Sequence, residues 1–150
     1  MLRAEVDTSR ARRQMLDQME RPRVDENVGL AHDDGTPLSY ADQFVVDEAT
    51  VRQATPHVET FSTKQRDFSG MSVRVIEQHV IADSKEAVGK YGGTVEVRRP
   101  GHPLFERRVP VSRVHLVYDG RLLPELHNLR EQMTTTARRL GVALHFHHDP

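Results

Sequence analysis

Asp42 opens the segment DQFVVDE (42–48), and Glu59 sits inside TPHVETFS (55–62). Both segments read as short strands, and the turn-like EATVRQ separates them. An oxygen-preferring ion such as Mg²⁺ is held by one or two carboxylates, with waters filling its other positions. Adjacent strands deliver that arrangement when each presents its acid on the same face. A cation and a polar amide beside the ion would then position an attacking water and a phosphate. Lys64 and Gln65 follow Glu59 in a polar turn. The competing reading makes Asp42 a strand-start residue and Glu59 a solvent-facing acid at a sheet edge.

The elements that must hold these residues follow from periodicity. Ala11, Met15, Leu16 and Met19 predict a helix over 8–20, and Arg21-Pro22 ends it. Residues 22–40 are rich in Asp, Gly and Pro and read as a loop. A long helix is expected from Ser72 to Lys90, capped by Ser72, striped by Val73, Ile76, Val80 and Ala87, and closed by Gly92-Gly93. TVEVRR (94–99) alternates as a strand, prolines at 100 and 103 force an excursion, and VPVSRVHLVYDG (109–120) is the most apolar strand candidate. A second helix follows Asp119-Gly120, with Pro124 in its first turn and Leu126, Leu129, Met133, Ala137 and Leu140 on its buried stripe. Gly141 should close that helix in the left-handed region, before a final strand VALHFHH. The order αββαββαβ predicts an α/β (α+β) fold: one domain over 1–150, with 1–40 a helical arm and loop and 41–150 a mixed central sheet flanked by helices.

Composition narrows the classes. The chain lacks cysteine, which excludes disulfides, thiolate metal sites and cysteine nucleophiles. Its start, MLRAEVDTSRARR, lacks the apolar region of a secretory signal, and no apolar run reaches the roughly 18 residues of a membrane span. A soluble protein without a membrane partner is expected. The net charge of −1 hides an asymmetry: residues 1–70 carry 9 Lys+Arg against 13 Asp+Glu, and residues 71–150 carry 12 against 9. Arg98, Arg99, Arg107 and Arg108 concentrate the positive charge and could meet backbone phosphates, or form a solvated loop. Aromatic residues make up 5% and do not interleave with the basic ones, which argues against a stacking platform for single strands.

The order helix, strand with Asp, strand with Glu, long helix with Gln, then strand resembles the core of the PD-(D/E)XK nuclease superfamily. The likeness is closest to the restriction-endonuclease-like toxin domains at the C-termini of bacterial polymorphic toxins. It runs through VETFSTKQRDF, EQHVIADSKEAVGKYGGTVEVRRPGHPLF and VPVSRVHLVYDG, and covers about residues 9–147. The resemblance implies a metal-dependent nuclease acting as a toxin or effector domain, in the bacterial cytoplasm or delivered into a target cell. It implies Mg²⁺ or another divalent cation, a nucleic acid substrate and a cognate immunity protein. Asp42 would be the first motif acid, Glu59 the second, Gln78 the polar helix residue facing the site, and Glu20 an additional acid. The family places lysine two residues after the second acid, where this chain has Phe61; Lys64 is the nearest substitute and Lys85 a second.

Other constellations rank lower. Glu96 with Arg98, after Asp83, is an acid and a cation two apart, but a guanidinium stays charged and cannot serve as that lysine does. His145 and His147 share a strand face, and with His115 could form a zinc site, yet no third ligand has a diagnostic spacing. The alternative to the nuclease is a non-enzymatic α/β interaction module in which these acids are surface charges.

Overall fold

The structure, a computed structural model, describes residues 18–147. Seven strands form one mixed sheet: β1 Pro22–Ala31, β2 Ser39–Asp47, β3 Val58–Lys64, β4 Thr94–Val97, β5 Arg108–Pro110, β6 Arg113–Asp119 and β7 Val142–His147. Two helices among the described residues, α1 Val73–Tyr91 and α2 Leu129–Arg139, make the crossovers. The strand order is β5-β4-β1-β2-β3-β6-β7. It is antiparallel from β5 to β3 and parallel across β3, β6 and β7. This is the mixed α+β class the sequence implied. No helix among the described residues is long and apolar enough to cross a membrane.

α1 begins where expected. The Ser72 hydroxyl accepts from the Val75 N–H at 3.3 Å, which satisfies one of the unpaired donors of the first turn. At the other end Gly92 is needed for space, since a Cβ there would lie 2.8 Å from the Val88 carbonyl oxygen. Ile76, Val80 and Ala87 of α1 and Leu129, Met133 and Ala137 of α2 pack on Val114, Leu116 and Tyr118 of β6 and Val142, Leu144 and Phe146 of β7. Both helices therefore cover one face of the parallel part of the sheet. Each fully buried Val, Leu, Ile, Met or Phe of this set contributes roughly 1.5–3 kcal/mol. A second cluster, with Phe44, Val46, Val58 and Val97, fills the antiparallel part.

Three boundaries differ from expectation. Residues 22–31, expected as loop, are β1. Asn27 sits at φ +54 and breaks the period of two, so Val24 packs with Met19, Val45 and Phe61 whereas Val28 and Leu30 join the Phe44 cluster. VPVSRVHLVYDG divides into two strands because the chain changes partner at Val111 and Ser112, whose N–H groups donate to Gly93 and Val58 respectively. α2 starts at Leu129, after Asn128 at φ +62, so Pro124 lies in the preceding loop and Leu126 is exposed. Gly141 does adopt φ +85. The helix expected over 8–20 lies outside the described residues apart from its last three, which form a turn and bend.

Candidate functional site

The pairing of β2 with β3 decides where the two acids point. Gln43 aligns with Phe61 and Val45 with Glu59, so Glu59 shares a face with Phe61, Gln43 and Val45. Asp42 precedes Gln43 and projects to the other face, the one α1 covers, where its charge acts on Tyr91 at the end of that helix. The shared magnesium expected between Asp42 and Glu59 has no geometry: the two carboxylates lie on opposite sides of the sheet.

On the helix-covered face a different group assembles. Continuing the register by one places Asp42 opposite Ser62, and Lys64 lies two residues along β3 on the same face. The Thr63 N–H donates to Asp42 Oδ2 at 2.7 Å, leaving the other carboxylate oxygen for a second partner. Lys64 Nζ donates to Glu86 Oε1 of α1 at 2.6 Å, and Lys90 Nζ lies 3.8 Å from the same oxygen. The Lys64 hydrogen bond holds the Glu86 carboxyl below its ordinary value. Burial raises the Tyr91 hydroxyl, and the negative charges of Asp42 and Glu86 raise it further. Beside this group, Arg66 grips Asp83 with two bonds of 2.6 and 2.7 Å, and the Tyr118 hydroxyl donates to Asp83 at 2.6 Å. Burial would raise Asp83, but these bonds outweigh it and the carboxyl stays ionised.

Glu59 enters a separate network on the opposite face. It is 1% exposed, with His57 Nε2 at 2.6 Å from one carboxylate oxygen and His115 Nε2 at 2.5 Å from the other. His115 Nδ1 continues to His145 Nε2 at 2.8 Å, and its ring stacks on Phe61 with centroids 4.1 Å apart. Burial pushes Glu59 up, yet the His115 and His57 bonds prevail and its pKa is lowered. His145 is depressed to about 4, by burial first and then by the charges of His115 and Arg113. His115 and His145 thus meet, but as links in a line. His115 spends one nitrogen on Glu59 and the other on His145, so the donors do not converge on a point. Among the described residues no group of three or more His, Asp or Glu side chains could hold a metal.

The remaining expected residues are scattered. Gln78 and Lys85 are exposed on α1, and Gln65 is exposed after β3. Glu20 is exposed, and its backbone N–H donates to Asp47. The arginine cluster is engaged within the protein: Arg98 pairs with Glu96 at 2.5 Å and Arg99 donates to the Glu26 and Asn27 carbonyls. Arg107 donates to the Val51 and Gln53 carbonyls and Arg108 pairs with Asp33. Sequence reasoning missed Glu86 and the Asp83–Arg66–Tyr118 lock. A signal existed, because Asp83 occupies the apolar stripe of Ile76, Val80 and Ala87 at helical spacing.

No family model, no curated protein and no solved structure matches this chain.

Proposed function

We propose that the chain is a metal-dependent nuclease whose site is built from Asp42, Lys64 and Glu86 on the helix-covered face, in a restriction-endonuclease-like fold acting as a toxin or effector domain. The observation that carries this reading is the register. It sets Asp42 across from Ser62, with Lys64 two residues beyond on the same face and an acid from α1 bonded to that lysine. The donor chemistry suits a hard cation, which is content with one or two carboxylates and its own waters. Asp42 and Glu86 would hold it, and the ion would polarise a phosphoryl oxygen and lower the pKa of a bound water. Lys64 holds a water or phosphate oxygen through its ammonium, and Glu86 fixes where that ammonium points. Tyr91, next to both acids, adds a hydroxyl donor. As a toxin domain it would act on nucleic acid inside a target cell and be held by an immunity protein.

The test is cleavage of DNA and RNA by the purified chain with Mg²⁺, against EDTA. Asp42→Asn and Lys64→Met should each abolish cleavage while leaving the far-UV circular dichroism unchanged. Normal cleavage by Asp42→Asn refutes the site. One observation favours a second reading, a non-enzymatic interaction module: Ser62 stands where the register offers a second strand acid, and Lys64 is neutralised by Glu86. Absence of cleavage with Mg²⁺, Mn²⁺ and Ca²⁺ alike would decide for the module.

A further inference from the structure

The arginines singled out by sequence have internal partners, and the free ones lie elsewhere. Arg113, the first residue of β6, and Arg138, in the last turn of α2, are both exposed. Neither side chain makes a hydrogen bond or ion pair among the described residues. Both line one cavity of about 400 Å³, whose floor is residues 141–144 at the start of β7. No carboxylate lines it. The charge of Arg113 acts on buried Glu59, whose two oxygens are taken by His57 and His115.

Two guanidinium groups from different elements, in a lining that holds no acid, match an oxyanion of two negative charges better than a single carboxylate, which leaves one cation uncompensated. The floor is apolar, with Val142, Ala143 and Leu144, so it suits the uncharged body of a ligand. We propose that this cavity binds a phosphate monoester, with Arg113 and Arg138 gripping the phosphate and residues 142–144 contacting the group it is attached to. The site is independent of the Asp42 group. Arg113 aligns with Glu59 at the start of β3, whereas Lys64 aligns with Tyr118. Five residues of strand separate the two ends, roughly 16 Å. It therefore stands whether or not the chain cleaves nucleic acid.

The experiment is calorimetric titration of the full chain, at fixed ionic strength, with a nucleoside 5′-monophosphate, inorganic phosphate and acetate. The monophosphate should bind saturably and at least about tenfold more tightly than acetate. The double variant Arg113→Gln/Arg138→Gln should lose that binding by about tenfold or more while its far-UV circular dichroism is unchanged, because neither side chain makes a hydrogen bond or ion pair among the described residues. Thr134→Glu, which sets an acid on the cavity wall, should weaken binding without removing either arginine. Tighter binding of the monophosphate than of inorganic phosphate confirms that the floor meets the ligand body. Equal affinity for the two overturns the ester assignment. No saturable binding, equal response to acetate and phosphate, or full affinity in the double variant overturns the site.

Discussion

Replacing Glu59 by alanine separates the two networks on the sheet. In the protein the carboxylate is 1% exposed and bonded to His57 and His115. Its removal takes from His57 and His115 the carboxylate that both are bonded to and leaves a void on the face of Phe61. Hydrogen bonds to a charged group contribute about 1.5–3 kcal/mol each, and two are lost here. Glu59→Ala should therefore lower the unfolding free energy in urea by about 3–5 kcal/mol, with an unchanged m-value. Glu59→Gln, which can still accept from one imidazole, should lose about half of that. The pH dependence supplies a second check. The Glu59 pKa is lowered below 4.5 on folding, so its contribution is complete above the unfolded value and is lost as pH falls through the folded one. The wild type should lose more stability than Glu59→Gln on going below about pH 4.5. A Glu59→Ala protein as stable as wild type, with cleavage abolished, would refute this assignment and return Glu59 to the chemistry.

His145 carries a comparable signature. Its pKa falls from 6.5 to about 4, so the unfolded chain binds a proton that the folded one refuses, and stability declines as pH drops from 6.5 to 4. The shift corresponds to about 3 kcal/mol, and His145→Phe should flatten the urea midpoint over that window. Asp83→Asn removes the acceptor charge shared by Arg66 and Tyr118 and should destabilise by about 2–4 kcal/mol, read by thermal unfolding. Tyr118→Phe, which loses one of those bonds, should cost less. Arg99→Ala should leave nucleic acid affinity and its salt dependence unchanged in a filter-binding assay, since that guanidinium is committed to the Glu26 and Asn27 carbonyls.

What could be read from sequence depended on how far each feature is local. The Ser72 cap, the Ile76, Val80 and Ala87 positions of the α1 stripe and the left-handed Gly141 are set by residues a few positions apart, and they were legible, whereas Val73, expected on that stripe, is exposed in the first turn. β1 was hidden because its charged run is interrupted by a residue in the left-handed region, so neither period survives long enough to register. The site was less legible still, because its decisive variable is a parity. Between β2 and β3 runs a connection of ten residues, 48–57, long enough that the sequence around it does not dictate which residue of one strand faces which of the other. A shift of one residue moves every side chain to the opposite face. Pairing Val45 with Glu59 sends Glu59 to the histidines and leaves Asp42 with Ser62, Lys64 and α1. Two acids on adjacent strands are thus weak evidence for a shared ion. The helix that crosses the same face supplies the better criterion, since an acid at a helical position can reach the lysine whatever residue the strand offers, as Glu86 reaches Lys64.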